Sequence, residues 1–269
     1  MVAWALKQRY PKRIPLIPFE RFRAWWFIVV GLVISYKLGS TAGLGSLPRL
    51  VSFTFLSLFA MTQFMNHLKH QPSIRVKFFC YLTCLCQYYW VFIEWYGFFT
   101  VFIPVFAFLY LPICTDMVKG SSSKLMETST IHWVLMCTVF CLSHAAYLLI
   151  LPRGAGLLFF VVLLTELADG ARMLLARTPS NHIWSPILSC LTAVLVSMIV
   201  APVFTPLSTE HSLLAGVVLG IAGTIGHKHV AVISKELGIP KGGPLERIES
   251  LAYTAPIFLH AYRYLDYPL

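Results

Sequence analysis

Apolar runs long enough to cross a bilayer recur along the whole of this 269-residue chain, and no other feature limits its fold as strongly. A helix crossing the hydrocarbon layer needs about 17 to 25 residues, because in lipid every backbone N–H and C=O must be satisfied within the segment. Such runs fall at 22–38, 50–66, 76–93, 96–113, 131–151, 155–171, 185–206, 212–230 and 251–265. They predict an all-α, polytopic integral membrane protein of about nine transmembrane helices. The third and fourth runs share one continuous stretch that divides around Glu94 and Gly97. With 58% hydrophobic residues and a mean hydropathy of +0.73, polar surface is too scarce to cover a soluble globule. Residues 22–269 therefore read as a single transmembrane domain behind a basic, proline-interrupted N-terminal segment, residues 1–21. That segment has neither a small-residue cleavage site nor a clean apolar core, so it does not read as a cleaved signal peptide.

The basic residues orient these helices. With a cytoplasmic N-terminus, seventeen of the 21 Lys and Arg residues fall on the inner side, and Lys37, Arg49, Arg153 and Arg263 fall on the outer. The positive-inside rule expects this bias, and an odd number of helices then puts the C-terminus outside. The formal net charge of +10 has the same origin, in cations that flank spans and meet anionic headgroups. No nucleic-acid motif accompanies them, so nucleic acid is not an expected partner. The seven cysteines lie within or at the ends of apolar runs without a CxxC pair, which argues against a disulfide or zinc framework. His227 and His229 read as packing at headgroup level, the glycine-rich GSTAGLGS at 39–46 as a turn, and Glu94 as an interfacial carboxylate.

Two polar segments stand out, both on the predicted cytoplasmic side. In TELADGARMLLARTPSNHIWSP, residues 165–186, Glu166 and Asp169 approach the inner end of the sixth helix. A carboxylate in hydrocarbon costs about 2.5 to 3.5 kcal/mol on insertion scales, so Asp169 needs a partner, either Arg172 in a structural pair or a bound cation. In KELGIPKGGPLERIES, residues 235–250, Lys241 stands beside Gly242 and Gly243, whose bare backbone admits a close approach. Glu246 and Glu249 are three apart, on one face of the final helix, and they repel unless a divalent cation or a basic side chain lies between them. A solvated helix start, with acids favoured by the helix dipole, accounts for the same two residues.

The segment ISKELGIPKGGPLERIESLAYTAPIF resembles the C-terminal signature of the phosphatidate cytidylyltransferases, or CDP-diacylglycerol synthases. That signature reads approximately S-x-x-K-R-x-x-G-x-K-D, a spacer, then P-G-H-G-G-x-x-D-R-x-D-S before a last hydrophobic helix. Lys235 takes the place of the first lysine, Gly238 the glycine, and Pro240 with Gly242 and Gly243 the P-x-G-G core. Glu246, Arg247, Ile248, Glu249 and Ser250 look like D-R-x-D-S with each Asp lengthened to Glu. Upstream, Thr165 and Asp169 match a T-x-x-x-D context, and Ser185-Pro186 begins the family's S-P-x-K-T. The likeness extends over roughly residues 76–265 and is nearest to a bacterial paralogue branch, with the signature region at 165–250. The chain departs from the pattern where Leu188-Ser189 stand in place of the Lys-Thr, where Lys-Asp and its spacer are shortened away, and where Lys241 replaces the histidine.

The resemblance implies transfer of a cytidylyl group from CTP to phosphatidic acid, giving CDP-diacylglycerol and pyrophosphate in phospholipid biosynthesis. It implies a magnesium ion held by the catalytic carboxylates Asp169, Glu246 and Glu249. Substrate phosphates would meet Lys235, Lys241, Gly242, Gly243, Arg247 and Ser185. It also implies a homodimer in the bacterial inner membrane, with the signature loops in the cytoplasm, where CTP is. The missing basic residues suggest a second reading: a catalytically inactive relative that serves as a lipid-binding or partner subunit.

Overall fold

The computed structural model describes residues 30, 34, 37, 43, 45–68, 70–117, 122–175, 184–236 and 244–265; for 122–123, 173–175 and 244–250 it describes the backbone alone. Among the described residues the fold is all-helical, with no strand. The helices are α1 (Leu47–His67), α2 (Ile74–Phe92), α3 (Tyr96–Cys114), α4 (Ser122–Leu135 continuing to Leu148), α5 (Gly154–Leu175), α6 (Trp184–Phe204), α7 (Thr209–Glu236) and α8 (Pro244–Leu265). Six of them, α1 and α3 to α7, are long and apolar enough to cross a membrane. They match six of the nine predicted runs.

The remaining three runs differ in instructive ways. The run at 22–38 lies mostly outside the described residues. The runs at 76–93 and 251–265 are helical, as α2 and α8, but they do not meet the same length-and-hydropathy requirement because both carry polar residues into the bundle. α2 shows the pattern well. Ile74, Phe78, Leu82, Leu85 and Tyr89 form an exposed stripe at helical spacing, while Val76, Cys80, Thr83, Gln87 and Val91 are buried. An apolar outer stripe with a polar-containing inner face suits a helix between lipid and a protein core. The last helix also begins earlier than its apolar run, at Pro244, where proline's fixed φ and missing N–H are tolerated. Glu246 and Glu249 therefore lie within its first two turns.

Consecutive helices from α5 to α8 pack antiparallel, and small residues bring them close. The Ser185 hydroxyl of α6 donates to the Arg172 carbonyl of α5 at 2.9 Å, tying the end of one helix to the start of the next. On α7, Gly216 and Gly220 press against Val194 and Cys190 of α6, and Gly223 and Gly226 against Thr254 and Tyr253 of α8. Helices in lipid gain little from the hydrophobic effect between them, so such stripes supply association through backbone contact. α5 meets α8 through Phe160 and Phe258, with ring centres 5.5 Å apart. α1 and α2 are joined by hydroxyl pairs, Ser57 with Tyr88 at 2.6 Å and Thr62 with Tyr81 at 3.2 Å.

π-Helical turns interrupt two helices, at Phe102–Ala107 in α3 and at Met136–Phe140 in α4. The first contains Pro104, whose missing N–H breaks the ordinary α ladder.

Candidate functional site

The alternating helices gather the end of α5, the start of α6, the end of α7 and the start of α8 at one end of the bundle. Asp169 is 3% exposed and Arg172 7%. Arg172 donates from Nε at 3.4 Å and from Nη2 at 3.3 Å to Asp169 Oδ1, an i,i+3 pair on one helical face. Ser185 is buried beside them through its bond to the Arg172 carbonyl. Asp169, Arg172 and Ser185 thus form one connected group, and the structural partner anticipated for Asp169 is present.

The other predicted residues are distributed around this end. Lys235 is exposed in the last turn of α7. Lys241, Gly242 and Gly243 lie outside the described residues. Glu246, Arg247 and Glu249 lie on the described backbone of α8, in its first two turns. Their depth follows from the contact between Phe160 and Phe258. Nine residues further on in α5 is Asp169 and nine residues back in α8 is Glu249, each about 13 Å along its helix at helical rise. The two positions therefore lie at similar depth on neighbouring antiparallel helices.

Among the described residues no group of three or more His, Cys, Asp or Glu side chains is arranged to hold a metal. Of the three carboxylates in the magnesium set, Asp169 is the one whose side chain is described, and Arg172 supplies positive charge to it.

A second polar cluster, which no local pattern announces, lies at the opposite end of the bundle. Gln87, fully buried on α2, donates from Nε2 to the Phe99 carbonyl at 3.1 Å and to the Ser143 hydroxyl at 3.0 Å. Next to Ser143 in sequence, the fully buried His144 of α4 sets its Nδ1 2.8 Å from the Phe140 carbonyl and its Nε2 3.3 Å from Nε2 of His260 on α8. The Tyr96 hydroxyl lies 2.6 Å from the other nitrogen of His260. The Arg263 guanidinium lies over the Tyr96 ring, 3.8 Å from its centre, and donates to the Tyr147 hydroxyl at 3.4 Å. Glu94, in the turn between α2 and α3, is exposed with φ of 58°, as an interfacial carboxylate should be. His144 and His260 are 116 residues apart, so no local pattern marks the pair.

No family model matches the chain. Over 290 aligned residues it is 32% identical to a relative from Escherichia coli (strain K12) described as the uncharacterized protein YnbB, with 98% of this chain and 92% of the relative covered.

Proposed function

We propose that this chain, which belongs to the family of the Escherichia coli protein YnbB, is a membrane cytidylyltransferase that converts phosphatidic acid and CTP into CDP-diacylglycerol and pyrophosphate. One observation carries the proposal: the signature-like order from Lys235 to Ser250 joins α7 to α8 at the same end of the bundle as the buried Asp169, Arg172 and Ser185 group. The chemistry asks for little covalent assistance. A phosphate oxygen of phosphatidic acid attacks the α-phosphorus of CTP, and the bond to the β-phosphate oxygen breaks to release pyrophosphate. The protein's task is to bring two polyanions together and offset the charge that develops on the leaving oxygens. Magnesium, when bound, would supply Lewis acidity there, with Asp169, Glu246 and Glu249 as its ligands. Lys235, Lys241 and Arg247 provide ammonium and guanidinium donors for the phosphates, and Gly242 and Gly243 leave backbone open to them. Ser185 holds the start of α6 against α5. The reading includes nine spans, an inner membrane with the N-terminus and signature loops in the cytoplasm, and a homodimer.

The inactive-relative reading has its own support. Arg172 already neutralises Asp169, and the basic residues that would follow Ser185-Pro186 are absent. Purified protein in detergent, given labelled CTP, magnesium and phosphatidic acid, decides between them. A CDP-lipid product that disappears on E246Q/E249Q supports the enzyme. No product above an empty-membrane control, with lipid and metal varied, supports a binding subunit.

A further inference from the structure

We propose that His144 and His260 form a two-histidine binding site for a divalent transition-metal ion of the zinc class, at the end of the bundle opposite the signature region. The inference is independent of the cytidylyltransferase reading.

The geometry of the two rings carries it. Their Nε2 atoms are 3.3 Å apart, while their centres are only 5.1 Å apart. An in-line N–H···N bond of that length would set the centres about 5.6 Å apart, since each nitrogen lies about 1.15 Å from its ring centre, and 3.3 Å is long for a hydrogen bond. The rings are instead bent out of line. If their two axes meet at a point, similar triangles place it about 2.1 Å from each nitrogen, the distance at which imidazole binds zinc. A separation of 3.3 Å is also the edge of a tetrahedron with such bonds.

The remaining ring nitrogens agree. His144 must carry its proton on Nδ1 to donate to the Phe140 carbonyl, which leaves a lone pair on Nε2. His260 Nδ1 faces the Tyr96 hydroxyl at 2.6 Å. Without metal, Nε2–H of His260 donates to His144 and Nδ1 accepts from Tyr96. With metal, the proton moves to Nδ1 and donates to the phenol oxygen, so no net proton is released. Metal-bound histidines usually have such outer partners, a carbonyl on one and a polar side chain on the other. The π-turn at Met136–Phe140, which ends four residues before His144, belongs to a class of helix irregularity that is frequent at functional sites.

Two protein ligands leave further coordination positions for water or an anion. His144 is buried whereas His260 is exposed, so the ion would approach from the His260 side. Arg263, three residues beyond His260, adds positive charge to the surroundings, as do no other fixed cations in the described cluster of Tyr96, Tyr147 and Gln87. The site therefore favours an ion that carries an anionic ligand. Neutral imidazole nitrogens select zinc, copper or nickel over magnesium or calcium.

The test uses full-length protein in detergent, carried on a tag without histidine, titrated with zinc chloride by competition against a chromophoric chelator. Wild type is expected to bind one zinc ion that H260A weakens at least ~10-fold, while H229A leaves it intact. Loss of the outer partner in Y96F is expected to weaken it by about 10-fold, and this variant with H260A keeps the test open should H144A fail to fold. X-ray absorption at the zinc edge should show two imidazoles in wild type. A wild-type protein that binds no zinc, or a zinc site that survives H260A with unchanged affinity, overturns the proposal.

Discussion

Asp169 and Arg172 are both buried, so removing the Asp169 carboxylate takes from the Arg172 guanidinium its ion-pair partner. Breaking a buried pair from one side costs about 3 to 5 kcal/mol, whereas replacing both partners can be nearly neutral. D169N is therefore expected to lose much of its stability in chemical denaturation from detergent micelles, and D169N/R172Q to recover most of it. If the double variant folds but makes no CDP-lipid, the carboxylate has a chemical role beyond its pairing. Gln87 presents the opposite case. Its amide nitrogen makes two hydrogen bonds, but its Oε1 is buried with no hydrogen-bond partner. Side-chain hydrogen bonds between membrane helices average about 0.6 kcal/mol, and a lone buried acceptor is itself costly. Q87L should thus shift stability by no more than about 1 kcal/mol, as the same denaturation measurement would show.

At the scale of elements, the glycines of α7 differ in what stands against them. A Cβ on Gly220 would lie 2.9 Å from the Cys190 Cα, and one on Gly216 2.7 Å from the Val194 Cα, both backbone atoms that cannot rotate away. At Gly226 the obstacle is the base of the Tyr253 side chain, with Cγ at 2.7 Å and Cβ at 2.9 Å, which turning the ring does not clear. G220A and G216A are expected to cost about 1 to 3 kcal/mol by forcing α6 and α7 apart, and G226A a similar amount by forcing α7 from α8. Gly170 on α5 has open space around its missing Cβ. There alanine brings only helix propensity, and G170A should stabilise by up to ~1 kcal/mol. Thermal unfolding of the four variants would rank them, and an equal cost at Gly170 and Gly220 would contradict the packing account.

For the whole molecule, antiparallel packing from α5 to α8 makes a statement about sidedness. Single cysteines at Trp184 and Lys235, in a background without the seven native cysteines, should react with an impermeant maleimide from one face of the membrane. Cysteines at Arg153 and Glu210 should react from the other. Labelling of Trp184 and Lys235 from opposite faces would separate Ser185 from the signature region, and the proposed site would be lost with it.

Residue order alone marked six helices long and apolar enough to cross a membrane, and the charged segments between them, because apolar length and charge are local properties of the chain. It also placed Glu246 and Glu249 on one helical face, since three residues are close to one turn. Only the tertiary structure showed that Asp169 is buried with Arg172 against it, because the i,i+3 spacing permits the pair while the burial comes from the packing of the helix end. The helical nature of α2 was legible, but its sidedness was not: Gln87 and Thr83 are polar in sequence and become core when α3 and α4 cover them. The His144 and His260 pair was invisible for the same reason. Two residues on different helices acquire a 3.3 Å relationship only through the packing of α4 against α8.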